Sequence, residues 1–170
     1  MRFELDPPLT AELREEIIAL WRDVANAGGP VGFAGEVGFD EVQALAAGAF
    51  AAVAEGHDNL LVGRVDGRVV AMLFFVSHRF ALAAHWRTVK RLMVHPSEQG
   101  NGYGAALLRE AEAVARGLGW EALHLTVRSG TGLERFYLAG GYREVGRLPG
   151  ALRVGPDDDR DEAHLWLALH

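Results

Sequence analysis

The sequence predicts an α/β protein of the α+β kind, with about seven strands in a central mixed sheet and about four flanking helices. Three observations predict it. Two strand-like apolar runs flank the turn pair Asp66-Gly67. Three separate segments repeat apolar residues at spacings of three and four, the period of a helix with one buried face. The stretch "VHPSEQGNGYGAALL" passes from strand-like sequence, through Gly100, Gly102 and Gly104, into an amphipathic run. Read in order, the elements are β-α-α-β-β-β-α-β-α-β-β.

Met1–Leu5 forms the first strand and ends at the break Asp6-Pro7-Pro8. Thr10 is placed to cap a helix reaching about Ala27, with Leu13, Ile17, Leu20, Trp21 and Val24 on its buried side and Glu12 at its positive end. "GGPVGFAGEVGF" is a glycine-rich loop. A second helix is expected from Asp40, as its cap, to Glu55, stopped by Gly56. "NLLVGRV" and "RVVAMLFFVSHRF" make a hairpin, because both central residues of a tight two-residue turn need positive φ and Asp-Gly accepts that. "HWRTVKRLMV" is the next strand.

The helix after the glycines turns Leu107, Leu108, Ala111, Val114, Ala115 and Leu118 to one side and stops at Gly119. "EALHLTV" is a strand, "TGLERFYLAG" a short helix, and "YREVGRL" and "AHLWLAL" the closing strands, joined by a solvated loop "GPDDDRDEAH". No internal repeat or long linker divides residues 1–170, so a single domain is expected.

Composition sets limits on function. Hydrophobic residues make 49% and charged ones 24%, the balance of a soluble globular protein, with no run of apolar residues that could span a membrane. The first residues lack the basic and then apolar pattern of a leader, and the absence of cysteine fits a reducing, cytoplasmic home without requiring it. There is no cysteine, so disulfides, cysteine-ligated zinc and a cysteine nucleophile are excluded, and no metal is expected. A net charge of −6 opposes general affinity for nucleic acid and mildly favours a cationic partner such as an amine.

Glycines between a strand and a helix N-terminus let consecutive backbone N–H groups close on an anion, with the helix dipole adding favourable charge. The same glycines also suit a tight turn without a ligand. Two phosphate-binding patterns fail here. A P-loop needs Lys-Ser/Thr after its last glycine, where this chain has Ala105-Ala106. A dinucleotide fingerprint needs Gly-x-Gly-x-x-Gly directly after a strand and an acid about twenty residues later, whereas "HPSEQ" intervenes here and "HLTVR" lies downstream.

What remains is Gln99-x-x-Gly102-x-Gly104, followed downstream by Phe136-Tyr137-x-x-x-Gly141-Tyr142. The first resembles the Arg/Gln-x-x-Gly-x-Gly/Ala pyrophosphate motif of the GNAT acetyltransferases. The second is similar to the aromatic-Tyr-x-x-x-Gly-Phe segment that ends their last helix. The element order is also that family's, and the resemblance covers nearly the whole chain. More narrowly, "GGPVGF", "HWRTVKRLMVHP" and "RLPGALRVGPD" look like segments of the tabtoxin-resistance type.

The resemblance implies a GNAT fold that binds acetyl-CoA where two central parallel strands part. The pantetheine arm would pair with the backbone of Leu92, Met93 and Val94. The pyrophosphate would lie on the N–H groups of Gln99, Gly100, Asn101, Gly102, Tyr103, Gly104 and Ala105. A backbone N–H near Met93–Val94 would steady the thioester oxygen, and Tyr137 matches the tyrosine that protonates the departing thiolate. Tyr137 can also be read as a packed helix aromatic.

The acceptor side is less defined. An amine must lose a proton before it attacks. The family's usual glutamate positions fall on Thr88 and Thr126, neither of which is a base. His85, His95, His124, Glu36 or a water chain remain as candidates. Gly130 replaces an asparagine that often orients CoA, with Arg128 or Ser129 as substitutes. The first two helices and their loop should build the acceptor pocket, bringing in Phe33 and Glu36, with His85 and Thr88 on the facing strand. The expectation is direct acetyl transfer from acetyl-CoA to an amine of a small molecule, and a homodimer is compatible with it. The alternative is a non-catalytic CoA-binding or sensing module of the same fold.

Overall fold

The computed structural model describes residues 1–170. Its strands are β1 (Arg2–Leu5), β2 (Asn59–Val65), β3 (Arg68–Val76), β4 (Trp86–Val94), β5 (Ala122–Arg128), β6 (Arg143–Gly155) and β7 (Asp158–Ala168). Its helices are α1 (Ala11–Asn26), α2 (Phe39–Ala54), α3 (Tyr103–Gly117) and α4 (Leu133–Ala139). The element order is the one the sequence predicts. All seven strands form one sheet in the order β1-β2-β3-β4-β5-β7-β6. Every neighbouring pair is antiparallel except β4 and β5. No helix is long and apolar enough to cross a membrane.

Local chemistry explains most boundaries. Thr10 Oγ1 accepts from the Leu13 N–H at 3.2 Å and starts α1. Asp66 and Gly67 take φ of 49° and 82°, the paired positive values of a tight hairpin turn. Gly56 at φ 73° ends α2.

Three expectations are corrected. Gly38, not Asp40, caps α2: the Glu41 carboxylate reaches back to accept from the Gly38 N–H at 2.7 Å. Leu118 lies past the end of α3 and is 47% exposed, so it does not share the buried face. "GPDDDRDEAH" is mostly strand: β6 and β7 run on to a turn at Pro156-Asp157. Cross-strand pairs such as Arg153 Nε to Asp159 Oδ1, 2.7 Å, neutralise the acidic run there.

The sheet separates two cores. On one face, α3 and α4 bury Leu107, Leu108, Ala111 and Tyr137 against Leu73, Phe75, Val89, Leu123 and Leu125. On the other, α1 and α2 bury Ile17, Trp21, Val42 and Phe50 against Leu60, Met72, Phe74 and Met93. Full burial of side chains this large contributes about 1.5–3 kcal/mol each.

Strand alternation would place Val89 and Met93 on one face. A bulge in β4, where Arg91 takes φ 56° and the β3 register slips, reverses the parity. Thr88 and Met93 therefore both face the α1/α2 side. The α1/α2 core draws on β2, β3 and β4 but on no residue of β5 or β7. Over β5 and β7 that face of the sheet is left without helices.

Candidate active site

β4 and β5 pair at only three positions, Trp86 with Ala122, Arg87 with Leu123 and Thr88 with His124. Beyond Thr88 the strands part. From Val89 to Val94, β4 bonds to β3 on one side and has no strand partner on the other. The His95 N–H bonds back to Val70 O at 2.7 Å, so alternation turns the Val94 N–H and carbonyl toward the open side. Gln99 Nε2 donates to that carbonyl at 3.1 Å. The gap thus carries an N–H donor beside a carbonyl already satisfied within the chain.

At the wide end of the gap lie the glycines. Gly100 and Gly102 take φ of 82° and 78°, and Gly102 is the left-handed N-cap of α3 with no side-chain cap. The first α3 amide to reach a helical acceptor is that of Ala106, bonded to Gly102 O at 3.0 Å. The N–H groups of Tyr103, Gly104 and Ala105 precede it and are the free donors of a helix start. A Cβ on Gly100 or Gly102 would meet no protein atom within 4 Å, whereas one on Gly104 would touch the Phe136 ring at 3.5 Å. The first two glycines are required by backbone conformation, and the third lets α3 lie close to α4. A groove of about 290 Å³ continues between Ala105, Arg109, Phe136 and Gly140.

Tyr137, from α4, is 8% exposed and stands edge-on to both Phe136 and Tyr142. Burial pushes its hydroxyl up to about 12, so it keeps its proton throughout the neutral range.

The uncovered face of β5 and β7, with the adjoining part of β4, is polar and aromatic. Thr88 Oγ1 lies 3.2 Å from His78 Nε2 and 3.1 Å from His124 Nδ1. His124 Nε2 lies 3.1 Å from His164 Nδ1, and His164 Nε2 lies 3.4 Å from Glu162 Oε1. Trp86 packs against His78 with ring centres 3.9 Å apart and planes tilted by 43°, and meets Trp166 at 5.1 Å. His124 is pushed down to about 4 by burial and by the neighbouring His164, His78 and Lys90. Burial, Arg87 and Lys90 lower His78 as well.

A cavity of about 670 Å³ opens between the α1–α2 loop, the β5–α4 loop and the β6–β7 hairpin. Phe33 and Glu36 line it, with Arg128, Ser129, Thr131 and Arg160 opposite. His85 is exposed just before β4, at the closed end of the β4–β5 pair, and does not join these residues. His95 is a fastener: its Nδ1 lies 2.8 Å from Ser97 Oγ and its Nε2 lies 3.4 Å from Asp23 of α1.

Residues 36–142 match the sequence profile described as the Acetyltransferase (GNAT) family. The chain belongs to that family. As a member it is an acetyltransferase, with acetyl-CoA as its acyl donor.

Solved structures share the fold of this GNAT acetyltransferase. A ribosomal-protein-alanine N-acetyltransferase from Brucella melitensis superposes with a TM-score of 0.80 at 17% identity, over 99% of this chain and 100% of its own. An N-acetyltransferase from Staphylococcus aureus Mu50 gives 0.79 at 18% identity, over 100% of both chains. An aminoglycoside 6'-N-acetyltransferase complexed with coenzyme A gives 0.72 at 16% identity, over 100% of this chain and 98% of its own.

The acetyltransferase has the chemistry that a CoA thioester requires. Free amides fit the pyrophosphate, an unpaired strand edge fits the amide-bearing pantetheine arm, and the α3–α4 groove continues from the glycines. His78, His164 and Glu162 were not singled out from sequence. His124-x-Thr126 and Glu162-x-His164 do show the strand alternation that puts each pair on one face, but only the β5–β7 register joins them.

Proposed function

We propose that this acetyltransferase acts as a single domain and moves the acetyl group of acetyl-CoA directly to an amine of a small molecule. The observation that carries the reading is the open β4 edge from Val89 to Val94, leading straight to the free amides at Gly100–Ala105. In this reading Leu92, Met93 and Val94 align the pantetheine, and Gln99 to Ala105 hold the pyrophosphate. The Val94 N–H faces the thioester oxygen. A preorganised donor of this kind lowers such barriers by about 3–4 kcal/mol. Tyr137 donates a hydrogen bond to the leaving sulfur. Its raised pKa favours bonding to the thiolate over full proton transfer, because a thiol is the stronger acid.

A small-molecule acceptor is favoured by the cavity at Phe33 and Glu36, whose 670 Å³ lies within the range of small-ligand sites. With no cysteine, attack on the thioester proceeds without an acetyl-cysteine intermediate. The narrower likeness to the tabtoxin-resistance type belongs to this proposal too. It rests on the three segments quoted above.

The test is release of free thiol from acetyl-CoA across a panel of amines. Turnover above hydrolysis with at least one amine supports transfer. Thr88 and Thr126, standing where a carboxylate base is expected, favour the second reading, a CoA-binding module without turnover. CoA binding by titration with no amine-dependent thiol release would select it.

A further inference from the structure

The hydrogen-bonded array across β4, β5 and β7 has a direction that its own chemistry fixes. Glu162 Oε1 lies 3.4 Å from His164 Nε2, an ion-pair contact rather than a hydrogen bond, and a carboxylate facing that nitrogen favours the tautomer with its proton on Nε2. Neutral His164 then offers the Nδ1 lone pair, and His124 must donate to it from Nε2. Neutral His124 offers Nδ1, so the Thr88 hydroxyl donates to it. The Thr88 oxygen in turn accepts from His78 Nε2. With all three imidazoles neutral, one arrangement satisfies every contact, and it leaves one free basic nitrogen, His78 Nδ1.

His78 is exposed, while Thr88 is only 7% exposed and sits at the last β4–β5 rung before the strands part. The array therefore runs from an open imidazole, past the apex of the gap, to a carboxylate on β7. The charged groups around it are Arg87 and Lys90 of β4, Asp58 before β2 and Glu162 of β7. Burial first, and then Arg87 and Lys90, lower His78, while burial, the neighbouring imidazoles and Lys90 lower His124, so both favour the neutral form.

We propose that His78, Thr88, His124 and His164 form a proton relay to Glu162 that deprotonates the acceptor ammonium at His78 Nδ1. The proposal rests on the reading of amine acetylation above. The ammonium gives one proton to His78 Nδ1, and the Nε2 proton of His78 passes to the Thr88 oxygen. The Thr88 hydroxyl proton moves to His124 Nδ1, that of His124 Nε2 to His164 Nδ1, and that of His164 Nε2 to Glu162 and on to solvent. The free amine then bonds to the thioester carbonyl carbon as the carbon–sulfur bond breaks. Its second proton goes to the sulfur, and the third stays on the amide. His78 is the group that touches the acceptor. Thr88, His124 and His164 act through it and are positioning residues.

The tautomers test the array without any substrate. In ¹⁵N-histidine spectra of the full chain at pH 8, His78, His124 and His164 should all be neutral with the proton on Nε2. Thr88→Val should release His78 into a mixture of tautomers. A proton on Nδ1 of His124 or His164, or a His78 signal unchanged by Thr88→Val, overturns the array.

Kinetics test its use, with the amine from the panel that gives the fastest thiol release. Thr88→Val and His78→Gln should each lower kcat on the order of 10²-fold at pH 7. KM for acetyl-CoA should hold, and the loss should shrink as pH nears the amine's own pKa. Thr88→Ser should restore activity. A loss of equal size at every pH, or no rescue by serine, overturns the relay. If no amine is turned over by the wild type, the acetylation reading falls and the relay's role with it, while the tautomers still decide whether the array exists.

Discussion

Thr88 and His124 face each other across the only parallel junction of the sheet, Oγ1 to Nδ1 at 3.1 Å, on the last rung before β4 and β5 separate. The contact links the architecture to proton chemistry, since the residue that closes the ladder also fixes an imidazole beside the gap. His124 is held neutral there, pushed down to about 4, chiefly by burial.

A pH dependence of stability follows from that shift. The native state disfavours the charged imidazole, so the unfolded chain binds the proton first as pH falls. The contribution is complete above about 6.5, the ordinary histidine value, and is lost progressively as pH drops toward about 4. Denaturant midpoints between pH 7 and pH 4 should fall less steeply in His124→Gln than in the wild type. Parallel curves for the two proteins would show that His124 is not the group responsible.

Gly102 separates backbone strain from ligand occupancy. Its φ of 78° carries a penalty for any L side chain, about 1–2 kcal/mol, yet a Cβ there meets no protein atom within 4 Å. Gly102→Ala should lower stability by about 1 kcal/mol in thermal melts. Gly102→Val should also cut CoA affinity at least about tenfold in calorimetric titration, because its branched side chain stands in the space where phosphate would lie. Wild-type affinity in the valine variant would remove the pyrophosphate from the Gly100–Ala105 amides.

Tyr142 carries a buried hydroxyl that has no hydrogen-bond partner, and burial with the adjacent Tyr137 and Glu112 raises its pKa strongly. An unsatisfied buried hydroxyl costs about 1–3 kcal/mol. Tyr142→Phe should therefore leave thermal stability unchanged or raise it, by up to about 2 kcal/mol. A clear loss of stability would mean that the hydroxyl has a partner in solution, an ordered water being the simplest.

The fold was legible where its signals are local. Asp66-Gly67 states its turn in two residues, Thr10 its helix start in one, and Gln99-x-x-Gly102-x-Gly104 its nest in six. Legibility failed where the deciding contact came from elsewhere in the chain. Asp40 has the usual side chain of a cap, yet Glu41 reaches back to the Gly38 amide and moves the cap by two residues. "GPDDDRDEAH" reads as a solvated acidic loop until Arg153 and Arg147, from the facing strand, pair with Asp159 and Asp161. The histidine array lay furthest from view. His78, Thr88, His124 and His164 come from four segments, and only the β4–β5 and β5–β7 registers bring them together.

Tyr137 is the residue where motif and geometry agree and where a single atom can be removed. Its ring fills the α4 side of the core against Phe136 and Tyr142, and phenylalanine would fill the same volume. Burial alone raises its pKa, with no hydrogen bond acting on the hydroxyl. Losing that oxygen should therefore cost the fold under about 0.5 kcal/mol, as for a change that breaks no native contact. If the hydroxyl donates to the leaving sulfur, Tyr137→Phe should lower kcat about 10²-fold, the effect of removing one aligned donor from a developing anion. KM for acetyl-CoA should be nearly unchanged, because the bond strengthens only as charge builds on sulfur. Steady-state thiol release, read beside a thermal melt of the same preparation, checks both. Full activity in a stably folded Tyr137→Phe would reduce Tyr137 to a packed core aromatic and leave the sulfur to another donor.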